Sequence, residues 1–480
     1  DDPLLFRGNI NPAQWVRPYT AEMLVQLSKF WNSEARLAEE NKLQPAIGSP
    51  HRVLADFSLN PGQQRAFDMI VRSAAVPGAQ LLAQVEGTAG TGKSYLIKAL
   101  TMAFGDRLMI TATTGLAAES IGGTTVHSAL KLHLGSKSKM VSADSVTALQ
   151  AAWRGKTHLS IDEKSMLGKK TFAVIDAHCK LVTGHMSRPF GGLSVILCGD
   201  WGQLPAVKDT VLYSGVPTYL ARNMRSATDV VVLETYRMFN NVAYLTECKR
   251  QEGEEDVQRQ FRSLLLRLRR AECTRADYDL LSTRFVRDPL LLKRQPWSDA
   301  VRIFTTNERA DSYNFEKIRQ LGEPIARIDA KNSTKEAHAR SAQSMGNVDN
   351  ILFVCQGAKV MLTRNLWKEA GLMNGSIGTV FDICYAPGTG PGRDVQPVCF
   401  LVYFERYRGT SVISDTRCIV PIVPVNGECL EKGRALVRKG FPLRLAYALT
   451  VHKSQGQTLQ HAVIDIGDKE FSPGLSFVAI

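Results

Sequence analysis

One stretch, Gly87-Thr-Ala-Gly-Thr-Gly-Lys-Ser94, constrains this chain more than any other. It has the form Gly-x-x-x-x-Gly-Lys-Ser. An apolar run at 81–85 precedes it and a helix-forming run at 94–103 follows it. The pattern predicts strand, loop and helix in succession. In that arrangement backbone N–H groups curl around an anion and the helix N-terminus adds positive potential. Gly87, Gly90 and Gly92 let the backbone close in, Lys93 reaches the β- and γ-phosphates of a nucleotide, and Ser94 holds Mg²⁺. A glycine-rich turn that binds nothing would need neither the strand nor the helix.

The remaining question is what a nucleotide would drive. With 480 residues the chain has room for two to four domains, and its 44% hydrophobic and 22% charged composition is that of an ordinary globular protein. No apolar run approaches the length of a membrane span, so no membrane partner is expected. The net charge of +13 points to an anionic partner, with nucleic acid foremost. The nine cysteines are scattered with no Cys-x-x-Cys pair, which reads as reduced structural thiols in an intracellular compartment. The sequence opens on Asp-Asp-Pro without Met or a signal pattern, so we expect a piece of something longer.

Residues 1–55 read as an N-terminal extension or linker with a helical patch at 21–41. A helix is expected over 63–73, with Asn60 as N-cap and Pro61 in the first turn. Gln63 on it either reads an adenine edge or is merely solvated. A second strand at 108–111 runs into Thr113-Thr-Gly-Leu-Ala-Ala118 and Gly122-Gly-Thr-Thr-Val-His127. Small and hydroxyl residues there suit either phosphate contacts or a tight turn with a capped helix. Residues 133–150 suit a small insertion or loop.

The run 157–161 reads as a buried strand ending in Asp162-Glu163. Paired acids at such a strand end, downstream of a phosphate loop, fit Asp162 binding Mg²⁺ through water and Glu163 deprotonating the attacking water. A further strand at 193–197 ends in Gly199-Asp-Trp-Gly-Gln203-Leu-Pro205. There Gln203 can sense the γ-phosphate and Asp200 can couple that sensor to a bound polymer. A strand at 242–246 precedes Lys249-Arg250, and Arg250 can stabilise transferring phosphate charge. Residues 257–270 form an amphipathic helix whose arginines read as a solvated face.

A second α/β unit opens with a strand at 300–306, and Asn307 starts a helix. Residues 331–347 read as a loop or short helical excursion. From 357 to 440, short strands at 360–362, 377–385, 398–404 and 417–425 are separated by turn signals that include Asn374-Gly375 and Asn426-Gly427. They read as a small β-barrel insert. The α/β pattern resumes at 445–449, leads into Thr450-Val-His-Lys-Ser-Gln-Gly-Gln-Thr458, and closes with a strand at 463–466.

Taken in order, these motifs resemble the Pif (petite integration frequency) family of DNA helicases, in superfamily one. The likeness covers roughly 59–480. Arg188-Pro-Phe-Gly-Gly192 ahead of Gly199-Asp200…Gln203-Leu-Pro205, and Pro442-Leu-Arg-Leu-Ala446 ahead of His452-Lys-Ser-Gln-Gly456, add to it. Within the family the chain looks most like the helicase part of Helitron rolling-circle transposases and their fungal relatives. Asp162-Glu-Lys-Ser-Met166, Gly202, Asn365-Leu-Trp-Lys-Glu-Ala-Gly-Leu372 and Glu470-Phe-Ser-Pro-Gly-Leu475 carry that impression.

The resemblance implies an α/β fold of two RecA-like P-loop NTPase domains with a small SH3-like β-barrel inserted in the second. The first domain would span 56–252, the second 253–356 and 441–480, and the insert 357–440. ATP would lie between the domains, and single-stranded DNA across both, with 5′-to-3′ movement. Carried over by position, Gln63, Gly92, Lys93, Ser94, Asp162, Glu163, Gln203, Arg250 and Gly456 serve the nucleotide. Thr114, His127, Asn307, His452 and Lys453 serve DNA. DNA forks, an upstream Rep nuclease domain and a nuclear location are further expectations. The family's last motif runs on from Phe477-Val-Ala into a Ser-Arg pair whose Arg meets the γ-phosphate. The sequence stops at Ile480, and we expect the protein to continue. The rival readings are a cellular genome-maintenance helicase of the same family, a non-hydrolysing DNA-binding remnant, and a P-loop switch without a polymer substrate.

Overall fold

The structure, a computed structural model, describes residues 20–30, 57–132, 143–207, 209–214, 227–248, 256–367, 370–390, 395–405, 407–409, 418–431, 434–455, 459, 461–467, 470 and 472–480. The fold is mixed α/β. The chain divides into two compact units, Pro45–Arg287 with Asp468–Ile480, and Asp288–Gly467 with Asp1–Gln44.

The first unit is built on a six-stranded sheet of β1 (Leu82–Gly87), β2 (Leu108–Ala112), β3 (Thr124–Thr125), β4 (His158–Asp162), β5 (Ser194–Gly199) and β6 (Asn241–Leu245). The order is β3-β2-β4-β5-β1-β6 and every pairing is parallel. Every residue of β4 and β5 is buried, as expected of parallel strands covered on both faces. Alternate side chains feed two cores. Ala83, Val85 and Ile196 pack with Phe67, Ile70 and Leu96 of the helices Pro61–Ala74 and Lys93–Phe104. Leu159, Val195 and Leu197 pack with Phe172 and Ile175 of the helix Lys169–Thr183.

The second unit holds β7 (Val301–Phe304), β8 (Ala326–Asp329), β9 (Lys331–Asn332), β10 (Ile351–Val354), β11 (Lys359–Leu362), β12 (Ile377–Cys384), β13 (Cys399–Tyr403) and β14 (Ile419–Ile422). It continues with β15 (Val425–Glu431), β16 (Arg434–Gly440), β17 (Leu443–Leu445), β18 (Ala448–Thr450) and β19 (Ala462–Asp465). A parallel β18-β7-β19 sheet carries the helix Asn307–Gln320. An antiparallel sheet runs β14-β13-β12-β11-β17, and its apolar face joins Val360, Leu362, Phe400 and Val402 in one core. In the N-terminal extension, Leu24 of the helix Ala21–Lys29 is buried against Cys384, Cys399 and Leu401.

Two expectations are corrected here. Asn426-Gly427 is not a turn. It lies within β15, paired in register with Lys439 and Arg438 of β16. The glycine serves close approach instead, because a Cβ on Gly427 would lie 1.8 Å from the Met345 carbonyl oxygen. The run 445–449, read as the return of the α/β pattern, is divided between two sheets. β17 pairs antiparallel with β11, whereas β18 pairs parallel with β7. Buried Asn314 pins the crossing: its Oδ1 accepts from the N–H groups of Tyr447 and Ala448 at 3.0 and 2.8 Å, and its Nδ2 donates to the Ala448 carbonyl at 3.0 Å.

The excursion at 331–347 forms β9, the helix Lys335–Ala339 and a single 3-10 turn at Gln343–Met345. Arg438 of β16, fully buried, organises it by donating to the carbonyls of Ala337, Arg340 and Val348 at 2.6, 2.8 and 2.9 Å, and to Asn332 Oδ1 at 2.9 Å.

Candidate functional site

β1 delivers the chain into the loop Gly87–Ser94 at the C-terminal edge of the parallel sheet, where ligands bind in such folds. Gly90 and Gly92 hold φ of 81° and 83°, values that L side chains rarely adopt. A Cβ on Gly92 would meet Gln63 Nε2 at 2.1 Å, and one on Gly87 would meet Thr91 Oγ1 at 2.4 Å. Lys93 Nζ folds back over the loop and donates to the carbonyls of Gly87 and Thr88 at 2.7 and 3.0 Å. Those weak carbonyl partners can be exchanged for phosphate oxygens. Ser94 follows in the first turn of the helix Lys93–Phe104.

Gln63 is buried and doubly engaged. Its Oε1 accepts from the Asn60 N–H at 3.0 Å, closing a capping box with Asn60 Oδ1. Its Nε2 lies 3.4 Å from the carbonyls of Thr91 and Gly92. It therefore ties the helix Pro61–Ala74 to the loop.

Asp162 ends β4 and Glu163 begins the turn beyond it. Asp162 is buried, and its Oδ1 accepts from the Glu163 N–H at 2.9 Å. Burial raises the Asp162 carboxyl, with the Lys93 ammonium and that N–H pulling it back. Glu163 sits at φ 55° and ψ 48°, a left-handed conformation that costs a non-glycine residue about 1–2 kcal/mol. Thr113 Oγ1 donates to its carbonyl at 3.0 Å and helps hold it there.

Asp200, also buried, shapes the loop after β5. Its Oδ1 accepts from the Gly202 N–H at 2.9 Å and from Arg269 Nε and Nη2 at 2.8 and 2.5 Å. The arginine face of the helix Asp256–Arg269 is thus not simply solvated, since Arg267 likewise pairs with Asp277. Gln203 follows on this loop, its N–H donating to the Asp200 carbonyl at 3.1 Å. Gly474 packs against the same turn, where a Cβ would meet the Gly202 carbonyl oxygen at 2.8 Å.

Among the residues expected to meet DNA, Thr114 and His127 belong to the first unit. Thr114 Oγ1 accepts from the Ala117 N–H at 3.3 Å, capping the helix Gly115–Ser120. Burial lowers the His127 imidazole. In the second unit the structure brings Asn307 and Lys453 together, with Lys453 Nζ 3.3 Å from Asn307 Oδ1. Burial foremost, helped by Arg444 and opposed by Asp311 and Asp349, lowers Lys453 to about 8. His452 beside it is lowered by burial. Arg250 and Gly456 lie outside the described residues.

Sequence reasoning missed a buried ionic cluster under the Asp162-Glu163 turn. Lys164, with no exposed side-chain surface, pairs with Glu86 at the end of β1. It also donates to Gln84 Oε1 at 2.9 Å, and its ammonium lies 4.9 Å from the Trp201 ring centre. The available signal was a lone acid, Glu86, next to the phosphate loop and a lone base beside the paired acids. Only the sheet order makes them neighbours.

Comparison with known proteins agrees with this arrangement. Residues 58–279 match the family described as PIF1-like helicase. The human ATP-dependent DNA helicase PIF1 is 31% identical over 402 residues, covering 82% of this chain and 55% of its own length. The chain therefore spans little more than half of that curated relative. The crystal structure of Pif1 helicase from Candida albicans superposes with a TM-score of 0.67 at 23% identity, covering 88% of this chain and 91% of the other. Pif1 from Bacteroides in complex with ADP-AlF3 and single-stranded DNA gives 0.61 at 24% identity, over 88% and 90%. These structural likenesses establish the fold. The loop geometry, the strand-end acids and the match over residues 58–279 together make this part of the chain similar to the PIF1-like helicase family.

Proposed function

We propose that this chain is the motor of an ATP-dependent DNA helicase that moves 5′-to-3′ on single-stranded DNA and opens duplexes at forks. One observation carries the reading. In a single unit, the phosphate loop with Lys93 lies at the end of β1, and the buried Asp162 with Glu163 lies at the end of β4. Lys93, released from the Gly87 and Thr88 carbonyls, binds the β- and γ-phosphates. Glu163 orients and deprotonates the attacking water. Gln203 senses the γ-phosphate, and Arg250 stabilises the charge in transfer. The oxygen donors Ser94 and Asp162 suit a hard divalent ion; they would hold Mg²⁺, which would neutralise charge on the phosphate oxygens. Gln63 and Gly456 complete the nucleotide site.

In the same reading 56–252 is the first RecA-like domain, 253–356 with 441–480 the second, and 357–440 an SH3-like insert. The antiparallel β14-β13-β12-β11-β17 sheet supports the last assignment. Thr114, His127, Asn307, His452 and Lys453 meet the DNA, and the Asn307–Lys453 contact favours a joint role for those two. We assign the motor to a Helitron transposase acting in the nucleus, on the motifs around Asp162, Asn365 and Glu470. A cellular genome-maintenance role is the second reading, favoured by the human relative's name. A Rep nuclease encoded upstream in the complete gene supports the first and its absence the second.

The test is ATP hydrolysis by residues 1–480 with and without single-stranded DNA. We expect strong stimulation by DNA, abolished by Lys93→Ala. DNA binding without hydrolysis would leave two readings, a motor in need of its final motif or a non-hydrolysing remnant, and a chain extended past Ile480 would separate them.

A further inference from the structure

β5 lies between β4 and β1, so a side chain leaving the end of β4 must cross β5 to reach β1. Lys164 makes that crossing. Gly199 at the end of β5 clears the way, because a Cβ there would meet Lys164 N at 2.8 Å and its Cγ at 2.9 Å. Beyond it, the ammonium finds the Glu86 carboxylate and Gln84 Oε1, the latter also bonded to the Tyr236 hydroxyl at 3.2 Å. Trp201 closes over the ammonium. The pair joins three elements of the nucleotide site: Glu86 immediately precedes Gly87 of the phosphate loop, Lys164 immediately follows Glu163, and Trp201 follows Asp200.

We infer that Lys164 is a positioning residue for hydrolysis, which through its buried pair with Glu86 holds the left-handed Glu163 in place against the phosphate loop. Glu163 occupies a conformation that its own backbone disfavours. Its N–H is held by the Asp162 carboxylate and its carbonyl by Thr113, and beyond that carbonyl its neighbour Lys164 is anchored across the sheet. Without that anchor the turn is free to relax toward ordinary backbone, withdrawing the Glu163 carboxylate from the water it orients. Nucleotide binding, which rests on the loop and Lys93, is retained.

The inference rests on the assignment of Asp162 and Glu163 as the hydrolytic acids, so Glu163→Gln is included as a control. The variants are Lys164→Met, Glu86→Gln and the two combined. They are read by DNA-stimulated hydrolysis, fluorescent ADP affinity, thermal melting and amide hydrogen exchange. In Lys164→Met we expect kcat to fall about ten- to hundredfold with KM for ATP and ADP affinity within about twofold of the parent. Exchange should quicken at 163–166 and not along the rest of β4. The double variant, left with no unpaired buried charge, should regain the melting temperature and keep the low kcat. Recovery of kcat together with melting temperature in the double variant would mean that the pair only carries a buried charge, and would overturn the inference. So would a Lys164→Met protein that hydrolyses like the parent. Full hydrolysis by Glu163→Gln would instead sink the assignment of the acids.

Discussion

At the scale of single residues, Lys453 makes the sharpest test of the nucleic-acid reading. It is charged at pH 7, and its proton is lost as pH rises through about 8 because burial and Arg444 disfavour the cation more than Asp311 and Asp349 favour it. Affinity for single-stranded DNA should therefore fall between pH 7 and 9, a window in which ordinary lysines and arginines keep their charge. Fluorescence anisotropy with an oligonucleotide at fixed ionic strength measures it, and Lys453→Met should flatten the change. The linkage to folding runs the other way. The unfolded chain binds this proton more tightly than the native state, so this group adds stability as pH rises from about 8 toward its ordinary range. A general alkaline loss of structure would lower affinity and stability together. Opposite trends isolate the lysine.

At the scale of elements, legibility depended on whether the determinants were local. The loop with its flanking strand and helix was readable because an apolar run, three glycines and a helix start are contiguous from 81 to 103. The acids at the end of β4 were readable for the same reason. The β15–β16 hairpin was not, because Asn426-Gly427 carries a turn signature and the reason for the glycine, the Met345 carbonyl, lies eighty-two residues upstream of it. The Lys164–Glu86 pair was hidden by a separation of 78 residues and an intervening strand. Arg438 was hidden likewise, since an arginine in a strand reads as exposed until its acceptors are seen. Its carbonyl partners make it the clasp between β16 and the excursion at 331–347. Arg438→Met should leave the buried Val348 carbonyl without this donor and the Ala337 carbonyl with only the Arg340 N–H at 3.3 Å, and cost roughly 1–3 kcal/mol in urea unfolding, the range for a buried group left unpaired. A loss under 1 kcal/mol would show that water replaces the guanidinium at those carbonyls.

At the scale of the whole molecule, the charge and the phosphate loop make separable demands. A net charge of +13 acts on a DNA backbone through released counterions, so binding should weaken with salt at a logarithmic slope of roughly −0.7 for each phosphate contact on a single strand. Nucleotide held by the loop answers instead to short-range contacts, the Lys93 ammonium and loop N–H groups, which salt screens far less at that distance. Hydrolysis measured across a salt series at saturating ATP should therefore divide. The DNA-stimulated part should fall steeply at limiting DNA and recover when DNA is raised to saturation. The DNA-independent part should change little. Lys453→Met should make the slope of DNA binding shallower by about 0.7, one contact's worth, and leave DNA-independent hydrolysis alone. Equal salt sensitivity in both parts would mean that the basic charge serves the nucleotide or the fold rather than the polymer. An unchanged slope in Lys453→Met would remove that residue from the DNA path while leaving the motor assignment, which rests on Lys93, Asp162 and Glu163, untouched.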